Sequence, residues 1–242
     1  MLVFPILRSI FDETMNTTVL ILTHMGEMGL PLAPHIKHLK ESNPGVEVCI
    51  IVGKDSPFGK GYNWKNGDQP LRKWWKENGR EVITPIIHVI EWDTLVTGTL
   101  PELPEYLDLA GRELMLPGVS NRWVWFQETN KMQLRKGESP CGLVSFGCFV
   151  MRREVLDAVC KTRWDAVYED SIQNELRFPT AAKAEGYRVG EVFLPFVRWT
   201  EYPVGSIPGV YHAVKHPWHE VEGAGSKSIL FSSKPFTHLS DA

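Results

Sequence analysis

The stretch TVLILTHMGEMGLPLAPHIKHLKESNPGVEVCIIV, residues 18–52, decides the fold. Its opening run, Thr18–Thr23, is apolar, rich in β-branched side chains and broken by GEMGLP, so it reads as a buried strand. In LAPHIKHLKES the apolar residues Ile36 and Leu39 stand among polar ones, and Asn43-Pro44-Gly45 is a strong stop signal, which predicts a helix. A second buried strand, Val46–Val52, follows. Two such strands joined through a helix predict a right-handed βαβ unit and a parallel sheet.

Downstream, GKDSPFGKGYNWKNGDQP (residues 53–70) has no apolar period and reads as a loop, of a length that is more often functional than idle. A helix carrying Leu71, Trp74 and Trp75 is stopped at Asn78-Gly79, and Ile86–Ile90 reads as a third strand that runs into Glu91-Trp92-Asp93. Residues 98–121, rich in Pro, Leu and Gly, suggest mixed helix and loop. The apolar run 142–151 reads as a fourth strand leading into the helix RREVLDAVC. Residues 167–189 predict a helix or helix pair divided at Phe178-Pro179, because proline disfavours a helical conformation in the residue before it. Residues 189–197 read as a final strand. The expectation is an α/β fold of one domain, a mostly parallel central sheet flanked by helices in the Rossmann manner. Residues 1–14 are expected to form a mobile extension ahead of a start at Met15, residues 15–218 the domain, and residues 219–242 a loop or disordered lid.

Bulk properties narrow the function. At 242 residues and 43% hydrophobic content the chain can bury roughly 70% of its unfolded surface in one core. A net charge of −3, with no Lys/Arg run longer than two, excludes the electrostatic footprint of a nucleic-acid binder. The four cysteines, Cys49, Cys141, Cys148 and Cys160, show no CxxC spacing, which argues for reduced thiols in a cytoplasmic protein and against a zinc cluster. We read the last three as small core hydrophobes. MLVFPILRSIF lacks the charged n-region and cleavage site of a signal peptide, and no later run reaches the roughly 18 apolar residues of a transmembrane span.

Two constellations carry chemistry. Glu91 and Asp93 end a buried strand at the sheet edge where ligands of open α/β sheets bind, and hard divalent cations sit between one or two such carboxylates and a diphosphate. Surface acidic residues at a strand end are the plain alternative. Glu169-Asp170, in VYEDSIQNELRFPTAAKAEGYRV (167–189), either caps a helix N-terminus or supplies a base for an acceptor hydroxyl. On that helix Asp170, Asn174 and Arg177 would share a polar stripe beside Ile172 and Leu176, the pattern of a surface helix. Trp64, Trp74, Trp75, Trp123 and Trp125 are sugar-stacking candidates. We assign Trp74 or Trp75 to the core and keep Trp64 as an acceptor contact.

The order of these pieces resembles the GT-A class of nucleotide-sugar glycosyltransferases, in particular the inverting family 2-like group, from about Thr18 to about Trp218. EWD stands for the metal-binding D-x-D, SFGCFVMRREVLDAV for a Gly-containing strand leading to an Arg-led helix, and WDAVYEDSIQNELRFPTAAKAEGYRV for the closing Glu-Asp block. The resemblance implies a transfer from a nucleotide-diphosphate donor such as a UDP-sugar to the hydroxyl of a carbohydrate or other acceptor, with inversion and with Mn²⁺ or Mg²⁺ as cofactor. It implies Thr23, Asp55 and Ser56 as nucleotide-binding residues and Asp93 with Glu91 as holders of the metal on the donor diphosphate. Asp170 is then the general base beside Glu169, and His212 or His216 a C-terminal metal or phosphate ligand. The sequence departs from the family at GKDS, which replaces a run of acidic residues, at Glu91 for Asp, and at Pro179. A non-catalytic sugar- or nucleotide-binding protein of the same fold is the alternative that GKDS favours. A sugar nucleotidyltransferase ranks lower, because HMGEMGLP after the first strand carries Glu27 and no basic residue to hold a triphosphate.

Overall fold

The computed structural model describes residues 17–23, 32–52, 66–118, 124–144, 148–165, 172–192, 196–197, 209–211, 218–220 and 229–231, with side chains described for most of them. Strand β1 (Thr17–Thr23) is buried along its whole length. Helix α1 (Leu32–Ser42) ends at Asn43, whose side-chain amide donates to Leu39 O at 2.9 Å, and Gly45 then turns the chain at φ 81°, a conformation other residues resist. Strand β2 (Glu47–Val52) lies parallel to β1, with Thr18 opposite Glu47 and Thr23 opposite Val52, so the expected βαβ unit is present, but β2 is an edge strand and not the buried one expected: Ile51 is buried while Ile50 and Val52 are exposed. Helix α2 (Asp68–Asn78) carries the chain to β3 (Ile86–Glu91), which lies parallel to β1 on its other side, Leu22 opposite Glu91.

The remaining strands are short. They are β4 (Leu95–Thr97), β5 (Leu109–Gly111), β6 (Glu113–Met115), β7 (Gly142–Val144), β8 (Cys148–Arg152), β9 (Val189–Glu191), β10 (Phe196–Val197), β11 (Gly209–Tyr211), β12 (Trp218–Glu220) and β13 (Ile229–Phe231). The main sheet has the order β2-β1-β3-β8-β5-β9, and only β8 runs against the others. Strands β10, β11 and β4 form a second small sheet; β6 pairs with β7, and β12 with β13. The fold is α/β with a mostly parallel central sheet, as expected.

Both faces of the main sheet are covered. On one, Leu20, Leu22, Ile87, Val89 and Phe149 meet Leu71 and Trp75 of α2, Val155 and Leu156 of α3 (Arg153–Val159), and Leu176 and Phe178 of α4 (Asn174–Ala184). On the other, Val19, Ile21 and Ile90 meet Leu32 and Leu39 of α1 together with Val96 and Val210 of the small sheet. Burying each such side chain contributes about 1.5–3 kcal/mol, and that is what holds strands of three residues in place. Trp75 is buried and Trp74 half-buried against the first cluster, as the helical spacing predicts. Cys141 and Cys148 are buried thiols whose pKa burial pushes up to about 12, and half-buried Cys160 rises for the same reason to about 11.

Several expectations need correction. Residues 109–115, expected as helix or loop, form β5 and β6; three-residue strands are too short to show a period, and β5 exists because it is sandwiched between β8 and β9. The run 142–151 is two strands in different sheets, and so is 189–197. Within the tail expected as a loop, β12 and β13 pair antiparallel. Pro179 does not divide its helix: α4 continues through it, although the ring removes one backbone donor. Tertiary contacts outweigh that loss. Phe178 is fully buried and stacks on Phe149 at 5.9 Å, and Thr180 Oγ1 both accepts from Cys141 N (3.0 Å) and donates to Cys141 O (2.8 Å).

The side of β4 away from β11 is served by side chains of α1 and the turn after it. Val96 N–H donates to His35 Nε2 (3.3 Å), Gly98 N–H to His38 Nε2 (3.2 Å) and Leu100 N–H to Asn43 Oδ1 (2.8 Å). An imidazole nitrogen accepts only when unprotonated. Burial pushes His35 and His88 down to about 3, and His38 below its usual range. These pKa values lie below the unfolded 6.5, so the unfolded chain takes up protons first and stability falls as pH drops from about 6.5 toward 3. Denaturant unfolding between pH 7.5 and 5, where carboxylates stay ionised, should show a loss of up to about 1.4 kcal/mol per pH unit for each of His35 and His88. Stability independent of pH across that range would contradict the assignment.

Candidate functional site

The chain leaves β1 through α1 to β2 on one side, then returns through α2 to β3 on the other. Because α1 and α2 cover opposite faces, the strand order reverses between β1 and β3, and the carboxyl ends of these two strands form the kind of switch point at which open α/β sheets bind ligands. Thr23 is the last residue of β1 and is buried; Glu91 is the last residue of β3 and half-buried. Trp92 N–H donates to Leu22 O at 2.9 Å, which carries the β1–β3 ladder one step further, and Thr94 N–H donates to Glu91 O at 2.9 Å, which turns the chain sharply into β4. Asp93 sits on that turn, buried at 7% exposure. The structure therefore brings Thr23, Glu91 and Asp93 to one edge, at the switch point.

Val52, opposite Thr23, ends β2 at the same edge, but Asp55 and Ser56 beyond it lie outside the described residues, as does Trp64. His212 and His216 also lie outside them. Tyr211, the residue before His212, stands opposite Leu95, two residues past Asp93, so the end of β11 lies beside the Glu91–Thr94 turn. Glu169 and Asp170 lie outside the described residues too. Their flanks are described, and both are tied to α2 or to the helix packed on it.

On one flank, Asp165 accepts from Arg72 Nη2 (2.8 Å) and Lys76 Nζ (2.9 Å). Those hydrogen bonds, the one from Lys76 foremost, hold its carboxyl below the usual range. On the other, Ile172 O accepts from Arg177 Nη1 at 2.9 Å. Arg177 in turn donates through Nε to Asp68 Oδ2 (2.7 Å) and through Nη2 to Asp68 Oδ1, and both side chains have no exposed surface. Asp68 opens α2, and Arg177 is on the first turns of α4, so this pair locks together the two helix ends nearest the carboxyl edge of the sheet.

The polar stripe expected on a surface helix is thus corrected: Asn174 and Arg177 are buried. The helix start is corrected as well. The N-cap position is held by Gln173, in an extended conformation, and not by Glu169 or Asp170. Residues without a signal in the sequence include Asp68, Arg72, Asp165 and Gln173. Asp68 and Arg177 are 109 residues apart, and no local spacing marks such a pair. Gln173 is fully buried; its N–H donates to Glu128 Oε2 at 2.6 Å, while its side-chain amide has no partner among the described residues. Thr94 Oγ1, next to Asp93, is likewise buried and unpartnered. Unpaired buried polar groups cost about 1–3 kcal/mol and cluster where function rather than stability selects the residue.

Among the described residues no group of three or more His, Cys, Asp and Glu side chains is placed to hold a metal ion. Two carboxylates on one turn, both hard oxygen donors, still fit a Mg²⁺ or Mn²⁺ whose other ligands are diphosphate oxygens and water. No helix among the described residues is long and apolar enough to cross a membrane.

No protein-family profile matches the chain, and no curated protein matches it in sequence. Solved structures similar to it include the galactosyltransferase LgtC in complex with donor and acceptor sugar analogs, at 11% identity over 73% of each chain with a TM-score of 0.38. Mouse xyloside xylosyltransferase 1 is similar at 10% identity over 81% of this chain and 96% of that one, with a TM-score of 0.39. The inositol-1-phosphate CTP transferase from T. maritima is similar at 12% identity over 75% and 86%, with a TM-score of 0.37. Likeness this distant decides nothing about the chemistry of the chain.

Replacing Gln173 by the similarly sized Met removes two unpaired buried groups at once. Gln173→Met should melt at or above the wild-type temperature, by about 2–4 °C per kcal/mol gained for a chain of this size. A melting temperature lowered by more than that would mean the amide is paired in the folded protein.

Proposed function

We propose that the chain is a glycosyltransferase that moves a sugar from a nucleotide-diphosphate donor to an acceptor hydroxyl with inversion. The observation that carries this reading is the gathering of Thr23, Glu91 and Asp93 at the carboxyl ends of the two strands that flank the switch point. Its position fits a nucleotide lying across that point with its diphosphate over the Glu91–Thr94 turn. Glu91 and Asp93 would hold a divalent metal, with His212 as a further ligand from the segment that follows β11. When bound, that ion supplies neutralising charge for the departing diphosphate.

The residues of the chain do the rest. Asp170 removes the proton from the acceptor hydroxyl as its oxygen bonds to the anomeric carbon from the face opposite the donor phosphate. The bond from that carbon to the diphosphate oxygen breaks, and the nucleoside diphosphate leaves with the electron pair. Thr23, with Asp55 and Ser56, is assigned to the nucleoside side. Anchoring of Asp165 and Ile172 on either side of Glu169-Asp170 supports a fixed base.

Calorimetric titration with UDP, with and without Mn²⁺, followed by donor hydrolysis across a panel of nucleotide sugars, tests this. Metal-dependent nucleotide binding is expected, lost in Asp93→Asn and kept in Asp170→Asn, whose turnover should fall by about 10²–10⁴-fold. Transfer with retention of configuration would overturn the mechanism. Absence of nucleotide binding at millimolar UDP would favour a non-catalytic binding protein.

A further inference from the structure

We propose that His38 and His35 of α1 form an acid-released latch on the turn that carries Glu91 and Asp93. Strand β4 follows that turn directly, is three residues long, and stands at the end of the small sheet β10-β11-β4. Backbone bonds to β11 serve one of its edges. The other is held by side chains: Val96 N–H donates to His35 Nε2 (3.3 Å) and Gly98 N–H to His38 Nε2 (3.2 Å). Two imidazoles one helical turn apart thus stand where a neighbouring strand would offer carbonyls.

A buried histidine that accepts one hydrogen bond is ordinarily a fixed piece of a core. Here both bonds are made by the atom that acid removes as an acceptor. A neutral ring that accepts at Nε2 carries its proton on Nδ1, so the next proton adds at Nε2 and sets a donor against a backbone N–H. Asn43 does the same work without titrating: its Oδ1 accepts from Leu100 N–H (2.8 Å) and its Nδ2 donates to Gly98 O (3.2 Å). His38 is half-buried and His35 buried, so acid reaches the Gly98 bond before the Val96 bond.

On α1, exposed Lys37, Lys40 and Glu41 flank His38. The elements packed on α1 bring Glu47 from β2, His88 and Glu91 from β3, Cys148 and Arg152 from β8 and Tyr211 from β11, while β4 has no titratable group. Burial lowers the His38 pKa, with Glu41 working against it; burial and then His38 lower that of His35. Each ring is therefore neutral while the latch is closed and takes up a proton at about 6.5 once it opens. Below that pH, opening gains up to about tenfold per unit for each ring.

Once released, β4 keeps its pairing with β11, where Thr97 Oγ1 exchanges hydrogen bonds with Gly209. A segment held so lightly opens before the main sheet does. The turn bond from Thr94 N–H to Glu91 O then loses its downstream anchor, and acid loosens whatever Glu91 and Asp93 hold.

Amide hydrogen exchange of the full chain, corrected for the intrinsic rate at each pH, reads the latch with no ligand present. Protection of Gly98 and Thr94 should fall together by about tenfold or more between pH 7.5 and 5. At pH 5 both should stand at least about tenfold below Val89, in the middle of β3, which marks local opening. His38→Gln keeps an acceptor that does not titrate, and the fall at Gly98 should shrink by about threefold or more. Protection of Gly98 equal to that of Val89 at pH 5, a Thr94 that stays protected while Gly98 opens, or the same fall in His38→Gln overturns the proposal. Failure of nucleotide binding would overturn the transferase reading and leave this result untouched.

Discussion

An aspartate and an arginine with no contact to solvent hold the two halves of this molecule in register. Asp68 opens the helix that links β2 to β3, and Arg177 belongs to the helix that precedes β9, at the far side of the main sheet. Their two-pronged contact is charge-assisted and geometrically specific, and the third guanidinium nitrogen is used by Ile172 O. Asp68 also sits in the first turn of α2, where the helix dipole favours a negative charge. Removing water from two such groups is expensive, so the pair does not by itself make the fold stable. What it does is dictate which two helix ends meet beneath the carboxyl edge of the sheet.

Other features depend on that constraint. With its first turn fixed, α2 presents Arg72 and Lys76 to Asp165, and the chain on both sides of Glu169-Asp170 becomes anchored to one rigid platform. The opposite face of the sheet is secured differently, by neutral imidazoles of α1 that accept backbone N–H groups from the β4 segment. Between the two faces, the reversal of strand order places Thr23 beside the Glu91–Thr94 turn. Helices packed on both faces thus hold in place the β1 and β3 ends beside Glu91 and Asp93.

Much of the scaffold was legible in the sequence because burial imposes a period. β1 and β3 are near-continuous apolar runs that are buried, β2 is an equally apolar run although it lies at the sheet edge with Ile50 and Val52 exposed, and α1 and α2 alternate on a helical period between clear stop signals, so their order predicts the parallel unit. Strands β5 and β6 were not legible, since three residues cannot display a period and their existence depends on neighbours far along the chain, and the run 142–151, read as one strand, gave no sign that β7 and β8 belong to different sheets. Pro179 was misleading for a related reason: a local rule about backbone donors was outweighed by full burial of Phe178 and by the Thr180–Cys141 contacts. At the site, the position of Glu91 and Asp93 at a strand end could be read directly. The partners of Arg177 could not, because a charged residue at helical spacing looks the same whether it faces water or a carboxylate 109 residues away.

The most direct test of the Asp68–Arg177 lock is a double-mutant cycle, with Asp68→Leu, Arg177→Met and the double variant compared in denaturant unfolding. Each single substitution strands a buried charge and should cost about 3–5 kcal/mol, while the double variant, with both charges gone, should recover most of that loss. Single costs below about 1 kcal/mol that simply add in the double variant would show that the two side chains do not interact in the folded protein.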